Sequence, residues 1–247
     1  MLLTYDKAGK TLRFRTDIFF DLTISINKQH NVNCYHLDGP AFYFYQSPEF
    51  TGSLAAGGSV NCERVSLYAH GSGTHTESAL HVDRKGADMR RISIPLVQPS
   101  LLCTVTPERI GEDEVITPDL LSHVTNEGHY TGIIVRTLPN GESKMQRNYS
   151  GTNPPYFAPE TLDMLKHAGF KHLVCDLPSV DRESDEGHLS AHKQWFVVDK
   201  HVPADRTISE LVFITDDAPD GEYMLSIQAP AIETDAVASR IVIYPCQ

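Results

Sequence analysis

Three histidines and a carboxylate fall within the twelve residues from His70 to His81, in the run His70-Gly71-Ser72-Gly73-Thr74-His75-Thr76-Glu77-Ser78-Ala79-Leu80-His81. Neutral imidazole and carboxylate are the ligand types that suit zinc and its first-row neighbours. Side chains alternate along an extended segment, so His75 and Glu77 point to one face while Thr74 and Thr76 point to the other. Gly71 and Gly73 free the backbone to turn sharply just ahead of that pair. Any one of these histidines, taken alone, reads most simply as a solvated loop residue. The group, together with a second acid and histidine cluster downstream, reads as a metal or catalytic site.

That second cluster begins at Val174-Cys175-Asp176-Leu177-Pro178-Ser179-Val180-Asp181, a buried strand running out into a loop. An acid at the carboxyl end of a strand, Asp176, is placed to face a crevice. The alternative is that Asp176 caps the turn with Ser179 and Asp181, because Asp and Ser favour such turns. His188 and His192 follow with i, i+4 spacing, which would put both on one helix face where a metal can use them. Glu210 stands at the head of a very apolar strand, where an unpaired acid is costly to bury, so a metal, a histidine or solvent must serve it. The other histidines (His30, His36, His123, His129, His167, His172 and His201) lack such company and read as surface or structural residues. Trp195, the only tryptophan, reads as core or as a pocket wall.

The elements that must position these groups are mostly strands. Strands are expected over Ile18 to Ile26, Arg64 to Tyr68, Ile92 to Val97 and Leu101 to Val105, and in the C-terminal third over Glu210 to Ile214, Tyr223 to Ile227 and Arg240 to Tyr244, while aromatic Phe42 to Tyr45 lies in a stretch that Pro48, Gly52, Gly57 and Gly58 mark as irregular. Helices are expected over Thr117 to His123, with an N-cap threonine and proline at the first helical position, and over Pro159 to Ala168, which repeats the proline start. The second carries Leu162 and Leu165 at i, i+3 and stops at Gly169. Each precedes a further strand, Gly132 to Leu138 and His172 to Leu177. With no linker visible, residues 1–247 read as a single mixed α/β domain, β-rich with few helices.

Composition narrows the partners. A formal charge of -11 argues against nucleic acid. No apolar run is long enough to span a bilayer, and Met1 to Arg15 does not read as a signal peptide. Five scattered cysteines, never in a Cys-x-x-Cys pair, fit reduced thiols in a cytoplasmic protein.

The two clusters together resemble the cyclase family of metal-dependent hydrolases that includes bacterial kynurenine formamidase. Its signature is His-x-Gly-Thr-His-x-Asp-x-Pro-x-His, and Gly73-Thr74-His75, the acid at 77 and His81 fall in register with it. Phe20-Asp21-Leu22-Thr23 is similar to the family's opening strand, Arg136-Thr137 to its central Arg-Thr, and Asp176 through Asp181 to its Asp-x-x-Ser-x-Asp. His192-Lys193 and Glu210-Leu211 stand where the family has a ligand histidine and a ligand glutamate, and Pro219-Asp220-Gly221-Glu222-Tyr223, Pro230 and Ser239-Arg240 agree with its tail. The departures are local: Glu77 replaces the family aspartate and Ala79 the proline, while Gly71 stands where the first histidine belongs, with His70 one place early. Either the loop is one residue longer and His70 still reaches the metal, or one ligand is gone.

The resemblance implies the swivelling β/β/α fold and a metal-dependent hydrolase of an amide-type bond in a small molecule, such as an aryl formamide or a cyclic amide. It implies that His75, Glu77, His192 and Glu210, with His70 or His188 as open questions, hold one or two divalent ions, zinc first and manganese second. Bound zinc brings the pKa of water to roughly 7, so that hydroxide can attack the carbonyl. His81 would be the general base, Asp176 would orient a ligand histidine, and Ser179 and Thr74 would support the site or the substrate. Phe42 to Tyr45 would supply a flat aryl pocket, or else pack as ordinary core. A homodimer or homotetramer is expected. Two rival readings are a catalytically altered metal- or ligand-binding protein on the same scaffold, and a cysteine nucleophile at Cys62 or Cys175.

Overall fold

In the computed structural model, which describes residues 1–198 and 200–247, nine strands form the main sheet. In chain order they are β1 (Phe20–Asp21), β2 (His75–Glu77), β3 (Gln98–Val105), β4 (Gly132–Thr137), β5 (His172–Cys175), β6 (Thr207–Glu210), β7 (Gly221–Gln228), β8 (Ala236–Ala238) and β9 (Arg240–Pro245). Their spatial order is β8-β2-β6-β5-β4-β3-β7-β9-β1. The central four, β3 to β6, run parallel, and the flanking strands pair antiparallel.

The sequence accounts for this division. β4 (Gly-Ile-Ile-Val-Arg-Thr) and β5 (His-Leu-Val-Cys) are buried at every position, as expected of parallel strands covered on both faces. Ile133, Val135, Leu173 and Ile208 turn toward a helical layer containing Leu162, Leu165, Trp195 and Phe196. Ile134 and Val174 turn the other way, against Leu22, Val212, Leu225, Ile241 and Ile243. Each such side chain, fully buried, contributes about 1.5–3 kcal/mol. The helices are the crossovers that parallel pairing requires: α2 (Pro159–His167) between β4 and β5, and α3 (Ser190–Phe196) between β5 and β6. Proline starts α2, and Gly169, at φ 95°, ends it in the left-handed conformation.

The β-rich mixed architecture with few helices is as expected, while several boundaries differ. Ile18 to Ile26 shortens to β1, because beyond it the chain meets Val212 only through a bridge at Thr23. Ile92 to Val97 is irregular, and the strand begins at Gln98. The Thr117-Pro118 start makes only a 3₁₀ turn, Pro118–Leu121. The strand expected from Glu210 onward instead ends there, since Leu211 adopts φ 53° and turns the chain away. A hairpin of Leu2–Lys7 with Lys10–Arg15, unforeseen in the sequence, packs Leu12 and Phe14 against Met224 of β7. No helix among the described residues is long and apolar enough to cross a membrane.

Candidate metal centre

Register places the two halves of the site side by side. β2 pairs antiparallel with β6 so that His75 lies opposite Glu210 and Glu77 opposite Ile208. Thr76 faces the opposite side of the sheet, its hydroxyl 2.8 Å from those of Ser209 and Ser239. The pleat therefore turns His75, Glu77 and Glu210 inward as one group. Ahead of β2 the chain makes a single helical turn, α1 (Ala69–Ser72), which carries His70. It then passes through Gly73, where a Cβ would meet Ile26 Cγ1 at 2.8 Å and Ile24 O at 3.1 Å. After β2, Ser78 accepts a hydrogen bond from the Leu80 N–H, and the 3₁₀ turn Ala79–His81 delivers His81.

His192 enters from α3 and is 2% exposed. Asp181 fixes it in three ways: its carboxylate accepts from the backbone N–H groups of Ala191 (2.7 Å) and His192 (3.0 Å) and lies 2.6 Å from His192 Nδ1. His192 Nε2 then points to Glu77 Oε1 at 3.0 Å and Glu210 Oε1 at 3.7 Å. His75 Nε2 lies 3.3 Å from Glu210 Oε2, with its other nitrogen 3.1 Å from the Gly73 carbonyl. Glu77 Oε2 is 3.4 Å from His70 Nδ1 and 3.9 Å from His81 Nε2.

These contacts bring donor atoms together without satisfying them. Among the described residues His75 Nε2, His192 Nε2 and both oxygens of Glu77 are buried with no hydrogen-bond partner. Such atoms are costly to bury unless something binds them. Two imidazole nitrogens and two carboxylates aimed at a common centre fit a divalent first-row ion. Ligand atoms of His70, His75 and Glu77, and likewise of Glu77, His81 and His192, lie within 4.8 Å of one another. Burial alone would raise the Glu77 carboxyl and depress the two histidines. The charges of His192, His81 and His70 instead hold Glu77 low. Glu77 and Asp181 in turn hold His192 well above its ordinary value.

The structure brings together His70, His75, Glu77, His81, His192 and Glu210. His70 reaches Glu77 despite its shifted register, because a helical turn rather than a strand carries it. His188 does not join them. It is exposed and precedes the first turn of α3, so the i, i+4 helix face does not form.

Asp176 is a correction: instead of orienting a histidine, its carboxylate accepts from the Thr137 N–H and hydroxyl (both 2.9 Å) and from Lys144 Nζ (2.7 Å). The orienting acid is Asp181. Thr74 is a backbone latch, accepting from the Ile24 N–H at 2.7 Å and donating to the Leu211 carbonyl. Ser179 accepts from the Asp181 N–H at 3.0 Å. It lines a cleft of about 320 Å³ above the centre with Tyr35, His81, Arg182 and Leu189.

Phe42 to Tyr45 does not line this cleft. It belongs to a ribbon, Ala41–Phe44 paired with Glu63–Ser66, on which Tyr43 and Tyr45 are more than half exposed. A wider cleft of about 780 Å³ beside His70 is lined instead by Leu37, Val65, Tyr68, Pro230 and Ile232. The cysteine reading fails at Cys175, whose thiol is pushed well up by burial and by Glu210. Cys62 is exposed and outside both clefts.

One acid was missed in the sequence. Asp235, just ahead of β8, lies 2.9 Å from His70 Nε2 and 3.1 Å from His81 Nδ1. An acid in a loop before a three-residue strand, with only Glu233 near it, gives no spacing signal; the pairing of β8 with β2 brings it here.

Comparison with known proteins agrees with this geometry. The Cyclase family model ("Putative cyclase") matches residues 20–182. Kynurenine formamidase of Geobacillus thermodenitrificans is 28% identical over 189 residues, covering 75% of this chain and 81% of that protein. Among solved structures, a potential metal-dependent hydrolase with cyclase activity superposes with a TM-score of 0.66 at 20% identity, over 92% of this chain and 96% of its own. Isatin hydrolase A of Labrenzia aggregata superposes with a TM-score of 0.63 at 13% identity, over 93% and 94%. With its family model matched over more than half of the chain and its fold shared along nearly all of it, this chain belongs to the Cyclase family.

Proposed function

We propose that this chain is a metal-dependent hydrolase of a non-peptide amide C–N bond in a small molecule, an aryl formamide or a cyclic aryl amide. The observation that carries this reading is the convergence of buried, unpartnered donor atoms from His75, Glu77 and His192 beside Glu210. The names of two relatives, kynurenine formamidase and isatin hydrolase, supply the substrate class. His75, Glu77, His192 and Glu210, joined by His70, would hold one or two ions, zinc being the first choice because imidazole nitrogen and carboxylate oxygen are both among its usual ligands. When bound, such an ion supplies a Lewis acid for the carbonyl and makes hydroxide available near neutral pH.

The residues of the chain do the rest. His81 stands at the cleft, its side chain 25% exposed, with Nε2 directed at the centre and Nδ1 at Asp235. Burial would lower its pKa, but the Asp235 hydrogen bond and the Glu77 charge hold it above the ordinary histidine value. In that position it takes the proton of the attacking water and returns it to the leaving nitrogen. The cleft walled by Leu37, Val65, Tyr68 and Ile232 accepts an aryl group by burying its apolar face.

The test pairs metal analysis with turnover. Purified protein should carry about one or two equivalents of metal and hydrolyse members of a panel of aryl formamides and cyclic amides, and His75→Ala should lose both properties. Full activity in thoroughly chelated protein would sink the reading. Tight metal binding without turnover across the panel would favour the altered binding protein instead.

A further inference from the structure

Asp235 shares this centre with His70 and His81, the ligand atoms of the three lying within 4.8 Å of one another, and both of its carboxylate oxygens are already engaged. Its Oδ2 receives two imidazoles at once, His70 through Nε2 at 2.9 Å and His81 through Nδ1 at 3.1 Å. Oδ1 is 3.1 Å from the hydroxyl of Thr234. The two rings lie 4.2 Å apart, centroid to centroid, inclined by 34°. A carboxylate only accepts, so each ring must place its proton on the nitrogen facing Asp235. The lone pairs then fall on His70 Nδ1 and His81 Nε2. Those are the atoms that face Glu77 Oε2, at 3.4 and 3.9 Å.

We propose that Asp235 is a positioning residue that sets the tautomers of His70 and His81 together, making one ring a ligand and the other a base. The proposal rests on the hydrolase reading above for the names of those two roles, though not for the tautomers themselves. It also explains how the early histidine works. His70 is one residue out of family register, and its ring would be free to rotate about its side chain from a helix of a single turn. A shared anchor from the loop just ahead of β8 removes that freedom. The anchor is itself fixed by the backbone, because the Asp235 carbonyl accepts from the Ser78 N–H at 2.9 Å. Asp235 is thereby tied to the segment that links Glu77 to His81.

A bond to a carboxylate raises the basicity of the opposite imidazole nitrogen, and removing such a partner typically costs about 10–100-fold in metal affinity or activity. The variants are Asp235→Asn and Asp235→Glu. Nitrogen-15 spectra of metal-free, histidine-labelled protein, recorded at a pH high enough for both rings to be neutral, report the tautomers directly. Wild type should show two rings locked in opposite senses, one protonated on Nε2 and one on Nδ1. In Asp235→Asn, whose amide can donate as well as accept, both should become mixtures; Asp235→Glu should restore the locked forms in part. In the zinc-loaded protein Asp235→Asn should lower kcat about 10–100-fold with little change in KM, and weaken zinc binding within the same range.

The thermal midpoint of each variant separates these effects from loss of fold. Unchanged tautomers in a folded Asp235→Asn would overturn the proposal. So would the loss of one whole equivalent of metal with the remainder still held tightly, since Asp235 would then be a ligand. A wild type with locked tautomers but no turnover would count against the hydrolase reading and leave the tautomer assignment standing.

Discussion

The Nδ1 of His192 lies 2.6 Å from Asp181, and the same carboxylate receives the backbone N–H of His192 at 3.0 Å. One side chain thus starts a helix and aims the imidazole that the helix carries. Both jobs fail together in Asp181→Ala, but by different amounts. The helix start costs about 1 kcal/mol of stability, while zinc affinity falls about 10–100-fold because the ring loses its anchor. Denaturation and chelator competition measure the two separately, and zinc affinity equal to wild type would refute the anchoring role.

Glu77 is one methylene longer than the family aspartate, and here it spans from β2 to within 3.0 Å of His192 Nε2. Glu77→Asp draws the carboxylate back by about 1.5 Å, one carbon–carbon bond. Restoring the family residue should therefore weaken zinc binding in this chain. A tighter site in Glu77→Asp, measured by chelator competition, would show that β2 can shift to follow it.

Lys144 and Asp176 form a nearly buried ion pair at 2.7 Å, with side-chain exposures of 11% and 0%. Removing one partner leaves the other uncompensated, at a cost of about 3–5 kcal/mol. Lys144→Met should lower stability by that order while the folded protein keeps its full metal content. If Lys144→Met instead emptied the metal centre without unfolding, the pair would have to be counted as part of it.

His172, on β5 away from the centre, supplies a pH dependence. Burial pushes its pKa down from 6.5 to about 4, and Nδ1 sits 2.9 Å from the Thr207 hydroxyl. The unfolded chain therefore binds the proton more readily, so the contribution is complete above about pH 6.5 and is lost as pH falls toward 4. Across that window it amounts to roughly 3 kcal/mol. Urea unfolding of chelated protein at pH 7 and pH 5 should show this loss, and His172→Asn should flatten it. Equal slopes for the two proteins would remove His172 as the cause.

Much of the fold was open to sequence reasoning, for identifiable reasons. β4 and β5 carry the apolar runs Ile133–Val135 and Leu173–Cys175, and α2 has both a proline start and a glycine stop, signals that act locally. Glu210 was recognised as a costly buried acid, yet assigned to the wrong end of its strand. Apolar character continues through Val212 and Ile214, and nothing in residue type announces that Leu211 turns the chain. Asp176 and Asp181 sit in one acidic loop with equal claim to a histidine. Only the packing of Lys144 against one of them, and of α3 against the other, separates their roles. Asp235 depends on β2 pairing with β8, a contact between residues some 160 positions apart in the chain (77 and 236), so no local pattern encodes it.

That long-range pairing also bears on the order of events during synthesis. His70, His75, Glu77 and His81 leave the ribosome early, whereas His192, Glu210 and Asp235 follow only with the last quarter of the chain. The early histidines cannot be organised into the native centre until β6 and β8 have arrived to flank β2. Metal capture in the native geometry is therefore a late step, and a bound ion would clamp the N-terminal third to the C-terminal quarter. Chains stalled before residue 192 should bind zinc only loosely, through the first cluster alone.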